Sequence, residues 1–402
     1  MNQTIAKYFK GDKVIWIVLM LLSLLSLLIV YSATGALAYR EKSGNTMYYL
    51  VRQLFTIGAG IGVIVLMVNV IPVKMYSMAA NLLLYGSILL LLMAMALKFA
   101  GVIRGTGRTI PLGPLSFQPA EVAKIALIIF TAKVLSRKQK TTHDLKVAFF
   151  KIMTGTAVVC GIVLMSNFST SALIFITIIT MMFVGRIPIR YMLLVFAAGV
   201  GLVVLIYFTA DLLPEKIGRI HTIKGRIERF IHGDPNSEKG ITQADYAKLA
   251  IYSGGIIGKG PGQSDVSNYM AAAYNDFIFS IIVEEYGLFG GVVVIFLYLV
   301  LFFRGIIIVR RSTRTFPAFV VIGLTVVLVY QAMINMGVSS GVLPVTGQPL
   351  PWVSLGGTSL LFTAIAFGCI LSVSHLNQVD QEQQEQPVQV NIPDEDEEMK
   401  KQ

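Results

Sequence analysis

Apolar residues in this chain run in long unbroken blocks, neither alternating nor recurring on a single helical face. Ten blocks approach or reach the ~17 to 25 residues that a helix needs to cross a bilayer. They lie near 14–33, 54–72, 77–99, 120–136, 147–165, 168–185, 190–210, 277–303, 316–336 and 356–376. Polar positions fall between them, in short basic connectors, in loops rich in Gly and Pro, and in one long interruption from 211 to 276. The pattern predicts an all-α integral membrane protein of about ten transmembrane helices, with a large loop between spans 7 and 8. Residues 1–376 form the polytopic membrane domain, and 377–402 a polar tail.

Composition supports the membrane class: 55% of residues are apolar, 14% are charged and the mean hydropathy is +0.72. The first block follows Lys7, Lys10 and Lys13, and it exceeds the ~7 to 15 residues of a signal-peptide core, so it reads as a retained anchor. With the amino terminus inside, the inner segments hold 14 basic residues and the short outer loops only Arg40, Lys42, Arg52, Arg104 and Arg108. The positive-inside rule then puts both termini in the cytoplasm and the long loop outside.

The net charge of +11 is uneven, because residues 377–402 carry eight acids against two lysines and leave +17 for the rest. That acidic tail reads as disordered. Cys160 and Cys369 fall inside spans, and His143, His221, His232 and His375 lack metal-ligand spacing. Neither a disulfide framework nor a structural zinc site is expected, and nothing points to a nucleic-acid partner.

Within the long loop, KIGRIHTIKGRIER at 216–229 has the pattern of a basic helix lying on a bilayer surface. SGGIIGKGPGQS at 253–264 supplies five glycines for tight turns, without the Gly-Lys-Ser/Thr ending of a phosphate-binding P-loop. Then comes NDFIFSIIVEEYG, in which Asp276 heads an apolar run and Glu284 and Glu285 sit inside it. Local rules read Asp276 as a helix N-cap. On a continuous helix the two glutamates would lie roughly 12 to 13 Å further along, where they need cations or a wet interior. Glu121 and Lys124, in FQPAEVAK, share one helix face at i, i+3 and can pair. The loop at 101–119 has four glycines, three prolines and two arginines, and the uncharged stretch 337–359 contains Trp352 and must be buried or line a cavity.

Four blocks, in this order and within ten spans, carry a family resemblance: GTGRTIPLGPLSFQPAEVAK, RIERF with SGGIIGKGPGQS, NDFIFSIIVEEYG, and QAMIN with GVLPVTGQPLPWVSLGGTS. The chain resembles the SEDS family of bacterial shape, elongation, division and sporulation proteins (FtsW, RodA and SpoVE types) from its first span to about residue 376. The resemblance is FtsW-like. It implies a peptidoglycan glycosyltransferase of the cytoplasmic (inner) membrane that polymerises lipid II for septal wall synthesis in cell division. Transfer from the undecaprenyl-pyrophosphate-linked donor would be inverting. The family's catalytic aspartate falls on Asp276, as general base for the acceptor hydroxyl. Glu121, Lys124 and Arg108 match family positions and are assigned to substrate binding, as are Gln243 and Ser354, with Arg226 and Arg229 as pyrophosphate candidates. Glu284 and Glu285 are assigned to the cavity or to structure.

No cofactor is fixed by the resemblance; magnesium or manganese shared with the pyrophosphate stays open. Implied partners are lipid II, the growing glycan strand, a class B penicillin-binding transpeptidase and other division or elongation membrane proteins. The chain departs from the family's usual residues at Thr109, Asn167, Ala271, Ala272, Tyr274, Gln348 and Leu355. Two other readings remain open on residues alone: a flippase for the lipid-linked precursor, and a noncatalytic scaffold.

Overall fold

The structure, a computed structural model, describes residues 8–101, 109–112, 115–139, 141–209, 224, 225, 228, 241–270 and 273–385. Each of the ten expected spans is a helix: α1 (Lys13–Ala33), α3 (Thr46–Val70), α4 (Val73–Phe99), α5 (Pro119–Arg137), α6 (Thr142–Leu164), α7 (Phe168–Val184), α8 (Ile189–Thr209), α10 (Ile278–Arg311), α11 (Thr315–Ser339) and α12 (Gly357–Glu385). Short helices α2 (Gly35–Glu41) and α9 (Gln243–Gly254) lie between spans. Among the described helices, eight are long and apolar enough to cross a membrane by length and composition. One departure from an all-α fold is a small antiparallel hairpin, β1 (Ile110–Leu112) with β2 (Leu115–Phe117), in register Ile110↔Phe117. It lies in the loop whose Gly and Pro content favours a turn.

Short polar side chains start several helices. Asp12 accepts from the amides of Val14 (2.9 Å) and Ile15 (3.2 Å) to cap α1, and Thr141 accepts from Asp144 N (3.1 Å) to cap α6. Pro119 opens α5, where a missing N–H costs nothing. α11 is the central post, with 72% of its most apolar window buried against 22% for α4. It packs on α5, α7, α10 and α12, while α12 lies along α3. At the end of the bundle opposite the functional site, Arg304 of α10 forks onto the Asp12 carboxylate, tying α10 to the start of α1.

Two expectations change here. α12 does not stop at 376 but continues to Glu385, held where Asp380 pairs with Arg314 (3.1 Å) and accepts from Thr313 (3.1 Å); residues 386–402 lie outside the described residues. Also, α10 is not one continuous helix. Gly287 has φ 66° and ψ −171°, which breaks it two residues after Glu285.

The Gly-rich loop is what fills this break. Lys259 N and Gly260 N donate to the carbonyls of Glu284 and Glu285 (both 2.9 Å), and Leu288 N donates to Gly255 O (2.9 Å). Backbone groups freed by the break are thereby paired again, as they must be at membrane depth. Such approach leaves no room for side chains. A Cβ on Gly258 would sit 2.3 Å from Glu285 O, and one on Gly287 would sit 2.1 Å from Ile256 O. The glycines of SGGIIGKGPGQS serve this docking.

Candidate active site

A cavity of about 410 Å³ opens at one end of the bundle. Its wall draws on α2 (Leu37, Glu41), α3 (Tyr49, Arg52), the start of α5 (Gln118, Glu121), the α6–α7 turn (Ser166, Asn167), the segment Tyr274–Asp276 and the uncharged stretch around Gln348 and Ser359. Every one belongs to an inter-span segment, or the adjoining helix end, that the parity of the spans puts on one side of the membrane.

Asp276 lines this cavity, but not as an N-cap. Phe277 holds the N-cap position of α10 and no side chain caps that helix. Asp276 therefore stands one residue before the N-cap, in the turn 273–277, with its backbone fixed from two sides. The Asn335 amide donates to Asp276 O (3.0 Å) and to Gln348 O (2.8 Å), and Ser354 Oγ donates to Asn275 O (2.8 Å). Leu355 N donates to Tyr274 O (3.0 Å). A rigid backbone under a carboxylate suits a group that must meet a substrate atom at a set distance.

Glu121 and Lys124 meet at 2.7 Å, both nearly buried. Lys124 Nζ also donates to Gln331 Oε1 (3.0 Å), and Gln331 Nε2 donates to Pro349 O (3.0 Å). The pair is thus one end of a relay reaching the uncharged stretch. Glu121 faces the cavity, whereas Lys124 is spent on its neighbours.

That stretch is pinned throughout. Trp352, at φ 68°, donates to Ser23 Oγ (2.7 Å), Ser26 Oγ donates to Val353 O (2.7 Å), and Gln348 Nε2 donates to Thr170 Oγ1 (2.9 Å). A non-Gly residue in the left-handed region costs on the order of 1 kcal/mol or more, and such strain concentrates at functional sites.

Other expected site residues are distributed differently. Ser354 does not line the cavity; it is buried, accepting from Leu350 N (2.9 Å) while it holds Asn275. Gln243 is exposed at the first turn of α9 and also lies off the wall. Glu284 and Glu285 are buried away from it, at the helix break: Glu284 meets Lys259 Nζ (2.8 Å), Ser264 Oγ (2.5 Å) and Asp265 N (3.2 Å), and Glu285 accepts from Ser32 of α1. Arg108, Arg226 and Arg229 lie outside the described residues. Asn335 and Gln331 were missed, although two amides at i, i+4 in an apolar helix were a legible signal of an internal polar contact. Among the described residues no group of three or more His, Cys, Asp or Glu could hold a metal ion.

Electrostatics at the wall are acidic on balance, with the carboxylates of Glu41, Glu121 and Asp276 against the guanidinium of Arg52. Burial raises the Tyr274 phenol above its ordinary range, assisted by Glu41 and Asp276 and opposed by Arg40 and Arg52.

The model of the FtsW/RodA/SpoVE cell cycle proteins matches residues 12–379. The chain belongs to this family. A relative from Thiomicrospira cyclica named probable peptidoglycan glycosyltransferase FtsW is 31% identical over 369 residues, covering 89% of this chain and 91% of its own. A second of that name, from Geobacter metallireducens, is also 31% identical, over 366 residues and 90% and 94% of the two chains. The fold is similar to a chain solved in a peptidoglycan synthase complex, described as the structural coordination of polymerization and crosslinking (TM-score 0.71, 24% identity, 91% of this chain and 98% of that one). It is also similar to the rod shape determining protein RodA of Thermus thermophilus (TM-score 0.62, 23% identity, 92% and 98%). Asn167, Tyr274, Gln348 and Leu355 all line the cavity. Asn167 caps α7, accepting from Thr170 N (3.4 Å).

Proposed function

We propose that this protein is a peptidoglycan glycosyltransferase of the bacterial cytoplasmic membrane, polymerising lipid II into glycan strands for septal wall synthesis in cell division. The observation that carries the reading is Asp276: a carboxylate on the wall of a cavity at the bundle end, its backbone held by Asn335 and its neighbour's by Ser354. The names of its relatives support the same chemistry.

Asp276 takes the proton of the acceptor sugar hydroxyl as that oxygen attacks the anomeric carbon of the donor. The bond to the undecaprenyl pyrophosphate breaks as the new glycosidic bond forms. A single displacement inverts the anomeric centre, and no sugar-enzyme bond forms. Glu121, on the same wall, orients substrate hydroxyls, while Lys124 pairs with it and holds its position. The excess of basic residues in the other inter-span segments supports cytoplasmic termini and an outward-facing cavity.

Glycan from such an enzyme is uncrosslinked, which supports a class B penicillin-binding transpeptidase as its partner. The similarity to a chain from a peptidoglycan synthase complex is in keeping with that pairing. The test is incubation of the purified protein, alone and with its transpeptidase, with lipid II in detergent. Strands of many disaccharides are expected. Movement of lipid II across vesicle membranes with no glycan made by either preparation would replace this reading with a flippase.

A further inference from the structure

Resting on the glycosyltransferase reading, we propose that Arg52 binds the pyrophosphate of the polyprenyl-linked substrate at the cavity mouth. A dianionic pyrophosphate entering a wall that carries Glu41, Glu121 and Asp276 is repelled unless a cation faces it. Lys124 does not serve, being buried, paired with Glu121 at 2.7 Å and absent from the wall. Arg52 does line the cavity, is exposed, and has no ion pair among the described residues. Glu41, also on the wall, is engaged by the Tyr49 hydroxyl at 2.8 Å. The planar five-donor guanidinium matches two phosphate oxygens at once.

Its place on α3 adds a second, independent argument. Tyr48, Arg52 and Phe55 share one helix face at i−4, i and i+3. Phe55 is 78% exposed and Tyr48 44%, so this face is apolar and turned outward on both sides of the arginine. Arg52 therefore stands where the polar cavity meets the lipid-facing surface. A polyprenyl pyrophosphate needs that junction, with its headgroup in a wet pocket and its chain in hydrocarbon.

The experiment compares wild type, Arg52→Ala and Arg52→Lys in lipid II polymerisation, with inorganic pyrophosphate as competitor. Arg52→Ala is expected to raise KM by at least about tenfold, with kcat within about twofold, as loss of ground-state and transition-state binding alike requires. Lysine should restore part of the affinity, and pyrophosphate should inhibit Arg52→Ala more weakly than wild type. An unchanged KM, or a loss confined to kcat, overturns the assignment. Stabilisation of each protein by inorganic pyrophosphate, read as a melting-temperature shift, needs no turnover. If wild type makes no glycan, the glycosyltransferase reading fails, while an equal shift in wild type and Arg52→Ala separately overturns the Arg52 site.

Discussion

Asn335, buried in the middle of the bundle, donates one amide to two carbonyls: that of Asp276 at 3.0 Å and that of Gln348 at 2.8 Å. The turn bearing the proposed base and the uncharged stretch that faces it are thus set by one side chain from α11, the most enclosed of the long apolar helices. The bridge thereby fixes the two backbone segments relative to each other.

Replacing Asn335 by Leu keeps the number and branching of its side-chain heavy atoms and removes both donors. Each carbonyl left unsatisfied in a buried setting costs about 1 to 3 kcal/mol. Melting temperature should fall, and kcat for lipid II polymerisation should drop at least about tenfold with little change in KM, the signature of lost positioning. Unchanged kcat in the Leu variant would dismiss the bridge as a positioning element.

Glu121 and Lys124 should behave as a unit. Removing one charge leaves the other buried and unpaired, which costs about 3 to 5 kcal/mol, whereas removing both costs much less. In a double-mutant cycle with Glu121→Gln and Lys124→Met, the double variant should melt above at least one of the single variants. Additive losses would mean the two charges are not coupled.

The loop that fills the helix break is tied by Lys259 to Glu284. Its hydrogen bond to Glu284 raises the Lys259 pKa above 10.5, with Asp265 adding to the rise and partial burial opposing it. A raised pKa means that the stabilisation is fully present below 10.5 and is lost only as pH rises through the folded value. Hydrogen-exchange protection factors at the Gly260 and Asp265 amides should hold level from about pH 7 to 10 and fall only as pH rises above 10.5. Protection that vanishes between neutral pH and 9 would contradict the tie.

Gly287→Ala and Gly62→Ala form a pair. Gly287 combines φ 66° with a Cβ position 2.1 Å from Ile256 O, while nothing lies within 4 Å of a Cβ on Gly62 in mid-helix. Alanine at 287 should prevent docking of the 254–260 loop and yield little folded protein. Alanine at 62 should be neutral or stabilise by up to about 1 kcal/mol, the helix propensity difference. Comparable yields and melting temperatures for both would show that the break is not required.

The spans were legible because a bilayer imposes length and apolarity on any sequence that crosses it. The break in α10 was not, since glycine is tolerated in membrane helices and only the positive φ of Gly287 reveals the interruption. Glu284 and Glu285 were legible as buried acids in need of cations or a wet interior, but a helix taken as continuous gave no sign that Lys259 and Ser32 are their partners. Asp276 was legible from its neighbours in sequence, yet its local reading as a cap failed because α10 starts two residues later. Ser354 could be picked out as polar but not assigned its contact, since the bond to Asn275 spans 79 positions of the chain. Such pairings come from packing and leave no periodic trace.

The most direct test of the central claim is the initial rate of lipid II polymerisation by purified wild type and Asp276→Asn, matched for melting temperature. Loss of a positioned general base costs on the order of 10²- to 10⁴-fold. The account predicts a fall in that range for the asparagine variant, and a rate within a few-fold of wild type would contradict it.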